Sequence, residues 1–191
     1  MIGIPTLRTP RLLLRPWTAT DRDAFCAMAR DPAVMEFLLP LDRAGSDALA
    51  DRIDIHFDRY GFGYWAVEVP EVAPFIGYVG LGVIGPDLPF APAVEIAWRL
   101  DSRHWGQGYA TEGATAALDA AFGIHNLDEV VALTVPANRR SRAVMERLGM
   151  TRDAAEDFDH PRLPEGHALR RHVLYRKRPP PPLSSPRPRL Q

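Results

Sequence analysis

Apolar and polar positions along this chain shift between alternation and helical spacing, and each change of period marks an element. Residues 11–15, Arg-Leu-Leu-Leu-Arg, read as a first strand. Thr20 and Asp23 then offer a capping box for a helix carrying Ala24, Phe25, Met28 and Ala29, and Pro32 makes continuation past Asp31 unfavourable. Leu49, Ile53, Phe57 and Tyr60 recur at helical spacing, so a second helix is expected over 47–60, capped by Ser46 and ended by Gly61 and Gly63. Three strands should follow at 64–69, 75–84 and 94–100, with Pro/Glu-rich and Pro/Asp-rich turns short enough to make them antiparallel neighbours.

Strands and helices alternate only after that point. Ala110, Ala114, Ala117, Leu118, Ala121 and Phe122 form the apolar side of a helix whose alanines allow close approach to a sheet, and Gly123 marks its end. Residues 129–134 form a short β-branched strand. Pro136 separates it from a helix over 139–148, with Asn138 as its cap and Gly149 just past its end. Residues 172–175 give a last short strand. This order predicts an α/β domain with a mixed sheet rather than a regular doubly wound one.

Composition narrows the picture. A chain of 191 residues buries one substantial core and leaves little for a second, so a single domain is expected over 1–176, followed by a Pro/Arg-rich tail over 177–191. That tail has too little apolar surface to pack, which reads as disorder, or as a docking arm for an aromatic groove or acidic surface. Cys26, the lone cysteine, allows no internal disulfide and no Cys-based zinc site, and reads as a buried structural thiol. The first fifteen residues lack the apolar centre of a signal peptide, and nowhere is there an apolar run near the ~20 residues that span a bilayer. The expectation is a cytoplasmic protein with no membrane partner. Net charge is −1, but residues 176–191 hold five basic and no acidic side chains, leaving −6 on the rest, so nucleic acid is not the expected partner of the folded part.

The densest chemical signal is RHWGQGYATE at 103–112, between a strand and a helix start. Gly106 and Gly108 permit a tight turn and close backbone approach, while the first N–H groups of the helix have no internal acceptors, which together make a phosphate nest. A second glycine pattern, Gly80 to Gly85, matches G-x-G-x-x-G letter for letter, but Pro86, Asp87 and Pro89 follow where that fingerprint needs a helix. It reads instead as a strand allowing close backbone approach. No G-K-[ST] ending marks a P-loop.

The R-x-x-G-x-G-x-A spacing of Arg103, Gly106, Gly108 and Ala110 resembles the acyl-CoA pyrophosphate loop of the GNAT acetyltransferase superfamily, and WGQGYATE at 105–112 looks like its RimJ/RimL-type branch. TPRLLLR at 9–15, VEIAWRL at 94–100 and NRRSRAVMERLGM at 138–150 resemble further segments of the family, over roughly residues 7–176. The resemblance implies a mostly antiparallel mixed sheet with flanking helices and a splayed groove for acetyl-CoA as cosubstrate. It also implies that the backbone from Trp105 through Gly106, Gln107, Gly108 and Tyr109 to Ala110 holds the pyrophosphate, with Arg103 as a charged edge. Asn138 would contact the pantetheine and Ser141 would lie close to the sulfur.

Acetyl transfer to an amine needs a base, a dipole for the oxyanion and an acid for the thiolate. Glu95 is the base candidate, alternating with Ala97 and Arg99 on one face of its strand; a structural ion pair within the sheet is the competing reading. An N–H near Ala97 or Trp98 would face the carbonyl oxygen. Ser141 is the first acid candidate, with Tyr109 or Tyr175 behind it. Glu112, in the first helical turn, is explained by capping and helix electrostatics without chemistry. His160, His167 and His172 match no metal-ligand spacing, and no metal is expected. Phe37, Leu38, Leu39, the helix over 47–60 and the stretch 157–172 should line the acceptor pocket. The expected function is acetyl-CoA-dependent N-acetylation of a primary amine, on a protein N-terminus or a small molecule, by direct attack. The alternative is a noncatalytic acyl-CoA-binding or interaction protein of the same fold. A homodimer is compatible with the family and has no mark in the sequence.

Overall fold

The computed structural model describes residues 4–180. In chain order the elements are β1 (Leu7–Arg8), β2 (Leu13–Arg15), α1 (Ala19–Met28), α2 (Pro32–Met35), α3 (Arg43–Tyr60), β3 (Tyr64–Val69), β4 (Ala73–Val83), β5 (Val94–Leu100), α4 (Tyr109–Gly123), β6 (Val130–Thr134), α5 (Arg139–Arg147), β7 (Thr151–Arg152), β8 (Phe158–Asp159) and β9 (Arg171–Lys177). One sheet runs β1-β2-β3-β4-β5-β6-β9-β7, with β8 pairing β9. All neighbours are antiparallel except β5 and β6. This is the mixed, mostly antiparallel sheet with flanking helices that the sequence predicts.

The parallel pair is where the sheet opens. β4 and β5 are in register from Gly77↔Leu100 to Val83↔Val94, whereas β5 and β6 register at one pair, Glu95 opposite Val131. Beyond that pair the two strands share no ladder, and N–H groups of β5 directed away from β4 face a gap. A helical crossover must join parallel neighbours, and α4 is that crossover. Its buried face, Ala114, Ala117, Leu118 and Ala121, packs on the sheet through small side chains. Gly113 lies so close that an added Cβ would sit 3.3 Å from Val79. The main core, with Trp65, Ile53, Leu14, Ile96 and Met145 fully buried, therefore sits directly behind the open pair.

Several helix starts differ from the sequence reading. α1 begins two residues early: Thr18, not Thr20, is its cap, and Asp21, not Asp23, closes the capping box. Asp21 is buried and also receives both terminal nitrogens of Arg15, at 2.7 and 3.0 Å, so a tertiary ion pair selects between two equivalent T-x-x-D spacings. Pro32 starts α2 rather than merely ending α1, with Asp31 as its cap. α3 is capped by Asp42 rather than Ser46, which lies buried inside the helix, and it ends at Gly61 in the left-handed region. β9 continues to Lys177, and Arg176 and Arg178 pair with Glu129 at 2.5 and 2.9 Å, so contacts with the sheet continue just past residue 176. The remainder of the expected tail, residues 181–191, lies outside the described residues.

Candidate active site

The turn leaving β5 is built by local hydrogen bonds. Asp101 accepts from the Arg103 N–H at 3.0 Å and holds the Arg103 guanidinium, which is otherwise exposed, at 2.5 Å. The Trp105 indole N–H donates to Leu100 O at 2.8 Å, and the Arg140 guanidinium lies over its ring at 4.6 Å. Gly106 and Gly108 then adopt φ of +75° and +81°, which side-chain-bearing residues rarely take. Nothing lies within 4 Å of where a Cβ at Gly106 would be, so its surroundings are open.

α4 starts directly after Gly108 with no side-chain cap. Its first helical bond is Glu112 N–H to Gly108 O, 3.0 Å, so the amides of Tyr109, Ala110 and Thr111 precede any i→i−4 acceptor. Aligned helix dipoles add partial positive charge there.

Arg11 and Glu112 hold this loop in place. Glu112 accepts from the Thr9 hydroxyl at 2.6 Å, the Arg11 N–H at 2.9 Å and the Arg11 guanidinium at 2.7 Å. Arg11 in turn donates to Gln107 O at 2.9 Å and covers the Tyr109 ring at 4.8 Å. Burial alone would raise the Glu112 carboxyl, but the bonds from Thr9 and Arg11 outweigh it and hold it below its ordinary range. Glu112 is thus structural, as read from the sequence. Arg11 was visible only as part of a family-like segment; its place beside the loop depends on a contact across most of the domain.

Glu95 stands at the one registered pair of β5 and β6, and its Oε1 accepts from the Tyr64 hydroxyl at 2.5 Å. Burial raises the carboxyl above its usual range, with the Tyr64 bond opposing. Burial, reinforced by Glu95, pushes the Tyr64 hydroxyl well above its ordinary value. Gly82 makes room for the pair: a Cβ there would sit 2.3 Å from the Tyr64 oxygen. At Gly80 it would meet Gly63 O at 2.0 Å, so the G-x-G-x-x-G match is a strand interior that needs close backbone approach. The expected face also holds: the Arg99 guanidinium lies over Tyr78 at 5.5 Å, the Tyr78 ring lies tilted beside Tyr64 at 5.2 Å, and Ile96 and Leu100 belong to the main core.

The other candidates are dispersed. Asn138 caps α5 by accepting from the Ser141 N–H at 3.1 Å, and its Nδ2 donates to Thr134 Oγ1 at 3.1 Å, so both ends of its amide are engaged. Tyr175 is buried and donates to Glu146 at 3.1 Å. His160 and His172 lie 5.3 Å apart between ring centres beside Phe158, and burial lowers both below the usual histidine range. Among the described residues no group of three or more His, Cys, Asp or Glu is placed to hold a metal ion, and no helix is long and apolar enough to cross a membrane. Leu38 and Leu39 stand exposed after α2. A depression of about 360 Å³ lies at the start of the parallel pair, lined by Val94, Glu129 and Arg176 and remote from the loop in sequence and strand direction.

An open helix start behind two left-handed glycines, reached from a splayed parallel pair, agrees with a sequence comparison in which an acetyltransferase (GNAT) domain matches residues 11–151. The chain belongs to the GNAT acetyltransferase family. Its GNAT relatives include an acetyltransferase structure from Agrobacterium tumefaciens str. C58, 32% identical, with a TM-score of 0.76 over 93% of this chain and 96% of that one. An uncharacterized protein YkkB of Bacillus subtilis is 31% identical over 148 residues, 75% of this chain and 84% of that one. An FsC-acetyl coenzyme A-N(2)-transacetylase of Aspergillus fumigatus is 32% identical over 156 residues, 77% of this chain and 65% of that protein. RimL, solved in complex with coenzyme A, shares the fold with a TM-score of 0.73 at 15% identity. The GNAT match ends at Thr151, so β8, β9 and the segment between them, which carry His160 and His172, lie outside it.

Proposed function

We propose that this GNAT protein is an acetyl-CoA-dependent N-acetyltransferase in which a primary amine, of a small molecule or a protein N-terminus, attacks the thioester directly. The observation that carries this reading is the uncapped start of α4 beside the opening between β5 and β6. Acetyl-CoA supplies the acetyl group on a thioester and needs no metal. The backbone from Trp105 to Ala110 holds the pyrophosphate through the α4 amides, which are free for an anion. Arg103 adds charge at the rim, and Arg11 and Glu112 keep the loop in shape. Gln107 contributes its main-chain N–H, its main-chain carbonyl being already bonded to Arg11. The RimJ/RimL-like loop is compatible with a protein N-terminus in a cytoplasmic setting, but the stretch 157–172 departs from the ending typical of those enzymes, and the negative charge of the folded part suits any cationic amine.

An amine reacts only without its extra proton, and Glu95 is the group to remove it, directly or through water. Its raised carboxyl is better matched to that task near neutral pH than an exposed glutamate. Tyr64 fixes one oxygen and leaves the other free to accept. An N–H of β5 near Ala97 or Trp98, facing the gap toward β6, stabilises the oxyanion. Ser141 is the donor for the departing thiolate: its N–H is used in the cap and its hydroxyl remains available. Tyr109, whose ring is covered by Arg11, is the second donor and packs the loop. Asn138 orders the start of α5 so that Ser141 faces the site.

Acetyl-CoA consumption with mass detection, over N-terminal peptides, amino acids, polyamines and aminoglycosides, tests this. Glu95→Gln should lower kcat by about 100-fold or more. The wild-type rate should fall as pH drops through the raised Glu95 carboxyl, and that limb should disappear in the variant. Product formation unaffected by Glu95→Gln removes the base assignment; saturable CoA binding with no product from any amine leaves a binding protein.

A further inference from the structure

On the face of the sheet that carries Glu95, the Arg99 side chain has no hydrogen-bond partner among the described residues. Arg99 is partly buried, its guanidinium lying 5.7 Å from the Phe25 ring centre and 5.5 Å from that of Tyr78, and its Nη1 is buried with no hydrogen-bond partner among the described residues. The contrast with Arg15 is direct. Arg15 has four acceptors around its guanidinium: Asp21, Glu68, Pro16 O and Pro74 O. Even the exposed Arg103 has a carboxylate at 2.5 Å. Leaving a buried guanidinium donor unpaired is costly, and water, an ion or an acceptor group of a bound molecule is what completes such a donor.

Its neighbours indicate what that partner is. Glu95, Tyr64, Tyr78 and Arg99 lie along one face of β3, β4 and β5, with the carboxylate at one end and the guanidinium at the other. The two tyrosine rings, 5.2 Å apart between centres, stand between them. Four residue steps of strand, about 13 Å along the backbone, separate the two charged positions. We propose that Arg99 binds a carboxylate of the acceptor, which is therefore a small amine carrying its carboxylate several bonds from the reacting nitrogen, as in a straight-chain ω-amino acid. This assignment rests on the N-acetylation reading above. Glu95 takes the ammonium end, the aromatic rings take the methylene chain, and Arg99 takes the carboxylate by a charge-assisted bond. An α-amino acid is too short to reach both ends.

The test compares 6-aminohexanoate with 6-aminohexanamide, in the wild type, Arg99→Met and Arg99→Lys, by initial rates and by calorimetric binding to the CoA-loaded protein. The wild type should prefer the acid by about tenfold or more in kcat/KM, expressed mainly in KM, as expected for one charged hydrogen bond. Arg99→Met should bring the acid down to the amide, and Arg99→Lys should restore part of the preference. Because Arg99 also packs on Phe25 and Tyr78, thermal melting and CoA titration report whether each variant folds, and the lysine variant keeps the stem and charge if methionine does not. Equal use of acid and amide by the wild type, or equal loss on both in Arg99→Met, overturns the carboxylate site while acetylation stands. Binding of 6-aminohexanoate that needs Arg99 but gives no product sustains the carboxylate site, and overturns the acetylation reading only if the wider amine panel also gives none. Neither binding nor turnover of 6-aminohexanoate overturns the carboxylate site and leaves acetylation to that panel.

Discussion

α4 and α5 each follow a strand of the parallel pair, and their first turns are finished in opposite ways. At α5, Asn138 supplies an acceptor to the Ser141 N–H and a donor to Thr134, so the helix start is closed onto β6. At α4 the residue in the same position is Gly108, which has no side chain to give, and the amides behind it are left to whatever arrives from outside. A glycine in place of a capping side chain costs about a few tenths of a kcal/mol. The difference shows stability withheld at one helix start and applied at the other, only a few residues beyond neighbouring strand ends. In this fold a ligand site is marked as much by an absent side chain as by a present one.

The sharpest way to break that contrast is to give α4 a cap. Aspartate tolerates the left-handed backbone at Gly108 better than most residues, and a Cβ there would lie 3.4 Å from an Arg11 nitrogen. Gly108→Asp would place a carboxylate among the free amides and beside Arg11. CoA affinity should fall by about 100-fold, read by calorimetry, while the melting temperature moves by only a few degrees. Unchanged CoA affinity would mean the phosphates are held elsewhere.

A smaller effect is expected from loosening the frame around the loop. Glu112→Gln removes the charge that gathers Thr9 and Arg11, and should cost about 1–2 kcal/mol at pH 7, the half-exposed Arg11 limiting the value. Since the folded Glu112 carboxyl is depressed, its contribution is complete above the unfolded carboxyl's ~4.3 and is lost as pH falls through the lower folded value. Urea unfolding should therefore separate the two proteins at pH 7 and bring them together in acid. A constant difference at both pH values would assign the loss to packing.

How far the sequence reveals these arrangements depends on whether the deciding interaction is local. β3 and β5 match their expected limits because alternation and flanking glycines or prolines act within the segment. The phosphate loop is legible because main-chain binding requires glycines at set positions. The start of α1 is not, since Thr18/Asp21 and Thr20/Asp23 fit the same box and only Arg15, packed from β2, decides between them. β7 and β8, two residues each, are too short to show a period. Glu95 stands out as the acidic residue of an apolar strand. Its partner Tyr64, by contrast, lies 31 positions away, and the isolation of Arg99 is a property of the whole packed face.

The least effect should come from Asn138, and it bears most directly on why α5 is closed. Asn138→Ala loses both bonds and should cost about 1 kcal/mol. Asn138→Asp keeps an acceptor for the Ser141 N–H, adds charge of the sign a helix start favours, and loses only the donor to Thr134. If Asn138 acts as a cap, the aspartate variant should recover most of the stability in thermal melts, and both variants should bind CoA within about twofold of the wild type. If instead its amide also serves the pantetheine, Asp and Ala should weaken CoA alike despite their different stabilities. The two helix starts would then share one ligand, and the closed end of α5 would be the second wall of the groove rather than a contrast to the first.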